Sequence, residues 1–460
     1  MRSGLRKSIF LICVCIFTNP AIFAESKKEP TPAGHSQHGE VFNEGPRQKA
    51  YLMNGTGDIE FKVTTKNPLV QKFVEQGIGQ LHGFWYFEAE RSFRQAAMLD
   101  PDCAIAYWGM AKANSGNSKR AKGFIAEAMK RKSKASPREA MYIDALNAYL
   151  NGKGSRRDKA KKYVLAIDAL SKKYPDDLEA LALYGYVLYK YRSYAKKKYE
   201  EVNAVLNKVL KKKPLHPVHH FRIHLWDYKN PKAALNSAAR CGQGSPSIAH
   251  MWHMPGHIYS RLKRYEDAVW QMEASARTDH AHMMRDRVMP DQIHNFAHNN
   301  EWLIRNMIYI GRVDDAVALA KNMIELPRHP KYNTATRRGS SRYGRMRLFQ
   351  VLLTYELWDD LIALSNGPHL EPTTSKTEQF KRLQYLGLAY AITGKKKEAN
   401  EVIAQLEKEA AKPKEPKTAP VKDRKPTKDK KPNKGKKTGT TSRGPSSAAK
   451  AKKAISVIRG

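Results

Sequence analysis

His250-Met-Trp252-His253-Met-Pro255-Gly256-His257-Ile-Tyr259-Ser-Arg-Leu-Lys-Arg-Tyr265 carries two interleaved patterns. Trp252, Gly256 and Tyr259, followed by Ala268, recur at the offsets of a helical-hairpin repeat, in which small residues let two helices approach closely. His250, His253 and His257 stand at i, i+3 and i+7, which on an α-helix makes a single stripe. That stripe is displaced from the packing residues. The pattern therefore predicts a helix that packs through one face and offers imidazoles on another.

The same spacing returns toward both ends of the chain. Phe73, Gly77, Ala89, Phe93, Ala96 and Pro101 fit it early, and Leu383, Leu386, Gly387, Tyr390, Gly394 and Ala399 fit it late. These are tetratricopeptide (TPR) offsets. The expected fold is all-α, a right-handed TPR-like solenoid over residues 61–410, whose first helices line a concave groove. Phe84, Trp85, Tyr86 and Phe87 read as packing aromatics. Residues 117–213 keep helical periodicity but lose the repeat signature. Residues 241–246 read as a turn, with Gly242 and Gly244 too isolated for a cofactor loop, and 278–287 as a linker.

The ends differ in composition. Residues 1–24 have the charged start, short apolar run and small-residue exit of a cleaved signal peptide, which places the mature chain outside the cytoplasm, secreted or periplasmic. No later stretch is apolar enough for a transmembrane segment. Residues 25–60 read as an extended leader, broken by Pro and Gly, with His35 and His38 in a solvated context. Residues 411–460, with 17 Lys/Arg against 3 Asp/Glu, read as a disordered Lys/Pro-rich tail. The formal charge of +38 is concentrated in that tail and in 112–213. On an exported chain, such basic segments suit an acidic surface polymer rather than nucleic acid. The mature chain keeps Cys103 and Cys241, read as separate buried thiols.

Eleven of the 16 histidines lie between 216 and 298, with His220/His224, His253/His257 and His294/His298 each spaced i, i+4. Such a pair on a helix can chelate one divalent metal, here Zn, Cu or Fe. The candidate metal ligands are His220, His224, His253, His257, His294 and His298, with Asp227, Asp279, Asp291 and Glu301 as nearby carboxylates. The candidate groove contacts are His250, His253, His257, His298, Glu301 and Trp252. The alternative is structural: the imidazoles bind carbonyls freed by Pro217 and Pro255 and tie helices together.

The chain resembles a group of exported bacterial tetratricopeptide proteins of unassigned activity over roughly residues 61–330. The resemblance rests on Gly77…Ala89-Glu-Arg-Ser-Phe93, Leu99-Asp-Pro-Asp-Cys103…Trp108-Gly109, Tyr174-Pro-Asp-Asp-Leu178, His216-Pro217…His220-Phe-Arg-Ile-His224 and His253-Met-Pro-Gly-His-Ile-Tyr259. Similar proteins carry a His-Asn pair where His298-Asn299 stands, then a further His where this chain has Glu301. The resemblance implies a fold and no reaction. No nucleophile elbow, phosphate loop or dinucleotide fingerprint is present. The expected function is a binding scaffold presenting a His- and aromatic-lined groove to a peptide, protein or small ligand. The alternative is a metal-dependent enzyme using the same groove.

Overall fold

A computed structural model describes residues 49–293, 295–327, 333, 339–411 and 447–459. Among them there is no β-strand, and the helices follow one another as hairpins. They are α1 (Pro68–His82) with α2 (Tyr86–Leu99), α3 (Ala104–Ala113) with α4 (Ser118–Arg131), and α5 (Pro137–Asn151) with α6 (Arg156–Lys173). Then come α7 (Leu178–Tyr191) with α8 (Tyr199–Lys212), α9 (His219–Trp226) with α10 (Leu235–Gly244), and α11 (Ala249–Arg261) with α12 (Tyr265–Asp286). The series ends with α13 (Phe296–Tyr309) and α14 (Val313–Glu325), α15 (Ser340–Thr354) and α16 (Trp358–Ser365), α17 (Lys376–Ile392) and α18 (Lys396–Ala411), and α19 (Ser447–Arg459). This is the expected TPR-like array.

Local chemistry starts several of these helices. Asn67 caps α1 ahead of Pro68, Ser136 and Glu139 close a capping box on α5, and Ser155 and Asp177 cap α6 and α7. Each satisfies backbone N–H groups that the first helical turn leaves without partners. The hairpins then close on a small-to-large contact. Gly77 and Gly109 both abut the fully buried Phe93 ring, Gly185 abuts Leu206, and Gly256 abuts Met272. A Cβ at Gly109 would lie 2.4 Å from Phe93 Cδ1, so only glycine lets α3 approach α2 this closely.

Four segments depart from the sequence expectation. Residues 278–287 are helix, not linker: no Gly or Pro interrupts α12 until Arg287, whose left-handed φ of 51° ends it before Pro290. The extension carries Asp286 onto the first hairpin, where it pairs with Arg91 (3.2 Å) and accepts from the Tyr51 hydroxyl (3.0 Å). Residues 241–244 are the last turn of α10, because Gly242 seats the Trp252 ring and Gly244 lies against the Leu215 carbonyl. The described part of the leader, 49–60, and the residues up to 66 that follow it are extended but built into the core. Phe61 sits edge-on to Tyr142 at 5.2 Å, and the Gly55 carbonyl accepts from Ser247 N at 3.0 Å.

The fourth departure is at the far end. Residues 447–459 of the stretch read as disordered tail form α19, with Ala454 and Ile458 buried and Ile458 facing Gly387 and Val402. Residues 1–24, read above as a signal peptide, residues 25–48 with His35 and His38, and residues 412–446 lie outside the described residues. Cys103 and Cys241 are both buried and unpaired, as expected.

Gly109→Ala is expected to lower unfolding free energy by about 1–3 kcal/mol, the usual range for overpacking a core. Urea denaturation checks this, with far-UV circular dichroism showing unchanged helical content before the transition.

Candidate functional site

The site grows from three first helices and one turn. On α9, the i, i+4 spacing puts His220 and His224 on one face, ring centroids 4.6 Å apart. On α11, His250, His253 and His257 form the expected stripe, with centroids 5.7 Å and then 4.6 Å apart. Pro255 lies inside that helix without ending it. His298 on α13 comes within 4.9 Å of the His253 ring. His220 and His250 close the gap between helices at 4.8 Å. Tertiary packing thus joins six imidazoles from three hairpins into one row.

The turn from α1 to α2 covers part of this row. Phe84 stands over it in a left-handed conformation (φ 56°), its ring 4.4 Å from His220 and stacked on His224 at 5.5 Å. Bulky residues rarely adopt that backbone, which costs on the order of 1–3 kcal/mol, so the packing of the ring holds it there. The expectation of a free groove face is therefore corrected at α9 and α11. His220 and His253 are fully buried, while His224, His250 and His298 are half-buried.

Hydrogen bonds set the ring orientations. His220 Nδ1 donates to the His82 carbonyl at 2.6 Å, leaving its Nε2 buried without a hydrogen-bond partner. His257 and His253 meet Nε2 to Nε2 at 2.7 Å. His257 Nδ1 faces Asp227 Oδ2 at 3.6 Å, and His298 Nδ1 faces Glu301 Oε1 at 3.2 Å. Asp227 is also held by Arg261, and Glu301 by Arg347 at 2.8 Å. Burial pushes the His220 pKa well below its ordinary value, with His224 adding to this, and pushes His224 down to about 4. These imidazoles are neutral at pH 7, the form that binds metals.

Three groups bring potential ligand atoms within 4.8 Å of one another: His220 with His224 and His250; His253 with His257 and His298; and His82 with Glu179 and His216. The third group has no sequence signature, since its members stand 97 and 37 residues apart, on α1, on α7 and in the turn before α9. Glu179 bridges the two rings, accepting from His82 Nε2 at 2.6 Å and from His216 Nε2 at 2.9 Å. Burial opposes ionisation of Glu179, but His216 and His82 outweigh it and hold the carboxyl well below its usual range.

The remaining candidates fall elsewhere. Trp252 is not a groove residue: its ring lies on Gly242, meets Trp270 edge-on at 5.8 Å, and donates from Nε1 to the Pro246 carbonyl at 2.9 Å. The helix turn that aims the histidines inward aims this ring at α10. His294 lies outside the described residues, and Asp291 belongs to none of the three groups. Asp279 is buried, and its carboxylate accepts from Asn299 Nδ2 at 2.7 Å rather than facing a histidine.

An apolar cavity adjoins the His82–Glu179 pair, with an empty volume near 560 Å³ that includes some open solvent. Phe61, Trp108, Tyr142 and Tyr186 line it with Lys112. The Lys112 ammonium lies 5.2 Å from the Tyr186 ring centre, and burial, with Lys190 adding to it, pushes its pKa down to about 7. Composition hides this lysine among 26 basic residues of 112–213; only the packed structure makes it distinct.

No protein-family model matches the chain, and no curated protein matches it. Among solved structures it is similar to a human IFIT1 dimer with PPP-AAAA (15% identity, 75% of this chain, 73% of that chain, TM-score 0.31). It is also similar to the TPR domain of P58(IPK) (17%, 74%, 92%, 0.21) and to yeast Tom70 (10%, 74%, 84%, 0.26). At such identities and TM-scores the likeness says nothing of ligand or activity, and the fold rests on the hairpins themselves.

Asp279 yields a pH prediction. Burial raises its folded pKa to about 8, while Asn299 lowers it only in part; the unfolded value is about 3.9. The folded chain therefore holds a proton that the unfolded chain releases, and stability from this group falls as pH rises from about 4 to 8. Asp279→Asn is expected to remove that component. Urea midpoints for both proteins at several pH values should show the variant gaining on the wild type as pH rises.

Proposed function

We propose that this protein is a helical-repeat binding scaffold. Its ligand, a peptide, protein segment or small molecule, seats on the inner side of the array. The observation that supports this reading is the strip of half-buried rings that successive hairpins contribute there. Tyr186 from α7, Phe84 from the first turn, His224 from α9, His250 from α11, and His298 and Trp302 from α13 all keep part of their surface open. Aromatic and imidazole surface of this kind supplies contact area at low entropic cost, and Trp and Tyr are the residues over-represented at binding hot spots. Lys190 and, in its protonated form, Lys112, 5.5 and 5.2 Å from the Tyr186 ring, add positive charge beside the strip. They favour a ligand with carboxylate or other anionic groups.

The test is selection of binders from a displayed peptide library, followed by affinity measurement on variants. Tyr186→Ala and Trp302→Ala are each expected to weaken the selected peptide about tenfold, or ~1.4 kcal/mol. Trp270→Ala, on an exposed ring of the outer helix α12, should leave affinity unchanged. Equal losses at Trp270 and Tyr186, or none at either, would show that the inner strip is not the binding face.

Export of the mature chain through residues 1–24 and attachment of the basic segments to an acidic surface polymer complete the proposal. Among the described residues no helix is long and apolar enough to cross a membrane. Intact mass measurement of the protein expressed in a host with a general secretion pathway should show loss of about 24 residues. An uncleaved N-terminus in that host would remove the case for export.

A further inference from the structure

We propose that His253, His257 and His298 form a mononuclear centre for a divalent transition metal, zinc or copper, with Asp227 and Glu301 as its outer carboxylates. The inference shares the His298 ring with the binding-scaffold reading but stands on ligand geometry that the reading does not use.

Three imidazoles, one ligand nitrogen each, lie within 4.8 Å of one another. Two come from one helix at i, i+4, and the third from the next hairpin, so the fold and not a flexible loop holds the set. His257 Nδ1 faces Asp227, and His298 Nδ1 faces Glu301, at 3.6 and 3.2 Å. At His298 the nearby carboxylate favours the ring proton on Nδ1 and a Nε2 lone pair turned inward, the outer arrangement usual for zinc-bound histidine, while Asp227 stands just beyond hydrogen-bond reach of His257. Arg261 and Arg347 neutralise these same carboxylates, which keeps them in the outer position. The donor set is then three neutral nitrogens without thiolate, which suits zinc or copper over magnesium or calcium.

Metal-free, His253 and His257 share a hydrogen between Nε2 atoms 2.7 Å apart. A tetrahedral metal with nitrogens at ~2.0–2.1 Å needs them about 3.3 Å apart, an adjustment that small side-chain rotations supply. The Trp302 ring stacks on His257 at 4.0 Å and shields one side. The His298 side chain is 34% exposed, so the fourth position faces an accessible edge and can exchange ligands.

The other two groups lack this combination. In the His82–Glu179–His216 group the carboxylate already takes both ring protons. Around His220 and His224 no carboxylate stands at a ring nitrogen within salt-bridge distance among the described residues.

The experiment uses the full chain after chelation and desalting. Equilibrium dialysis against Zn²⁺ and, separately, Cu²⁺ is read by elemental analysis, with Co²⁺ absorption reporting coordination geometry. One tight equivalent is expected, with the intense visible bands of four-coordinate Co²⁺. His298→Ala, on a half-exposed position, should abolish it while circular dichroism stays unchanged. Glu301→Gln should weaken it 10- to 100-fold. His220→Ala should leave it intact. Wild-type protein that binds neither metal, or a His298→Ala variant that keeps the equivalent, overturns the proposal. So does loss of metal in His220→Ala together with retention in His298→Ala, which would assign the metal to the neighbouring group. Metal-free protein can be carried through the peptide selection, so failure of ligand capture and failure of metal binding are read separately.

Discussion

Several helix pairs, within and between hairpins, close where a glycine on one helix meets a large apolar side chain on the next. Gly77 and Gly109 against Phe93, and Gly256 against Met272, set the separation of the helix pairs. Because each pair is held at close range through one face, the remaining faces of the first helices fall into register along the array. The histidine row exists only because α9, α11 and α13 are spaced this way. A wider separation anywhere in the series would pull the i, i+4 pairs apart and leave isolated imidazoles, which stabilise little.

Burial of so much imidazole carries an energetic cost that the structure offsets by different means along the row. At one end Glu179 accepts from two rings and stays ionised in the core, because two donors replace the water it loses. In the middle, His220 donates a hydrogen bond to a backbone carbonyl, and aromatic contact with Phe84 covers the rest. At the far end, Asp227 stands beside the buried His257 ring and Glu301 beside His298, which stays partly open to solvent. Openness along the row is uneven: His224, His250 and His298 keep part of their surface open, whereas His220, His253 and His257 are buried.

The array is also tied across large sequence separations. The extended segment before α1 reaches the α10–α11 turn, and the extension of α12 pairs with α2 through Arg91 and Asp286. An open solenoid transmits contacts only between neighbours. Here the added ties hold the first hairpin against the fourth through sixth, which keeps Phe84 in its strained position over the histidines. Rigidity of this kind suits a site whose ligand atoms must stay within a fraction of an ångström.

The sequence by itself determined the helical class, the hairpin spacing and the histidine stripe, because these depend on residues within one or two helical turns of each other. From the Trp252, Gly256 and Tyr259 offsets the packing face of α11 followed, and with it the side on which His250, His253 and His257 stand. Counting the same offset placed His298 and Glu301 one hairpin on. Tertiary structure alone decided what meets that face. The His82–Glu179–His216 bridge, the Phe84 cover, the lowered pKa of Lys112 and the helical continuation past Thr278 all arise from chain segments tens to hundreds of residues apart. Trp252 marks the boundary between the two kinds of knowledge. Its spacing is repeat-like, but only the Gly242 cleft on α10 fixes where so large a ring goes. Pattern reports which residues share a face, whereas burial and contact depend on how the faces stack, and local sequence does not encode that.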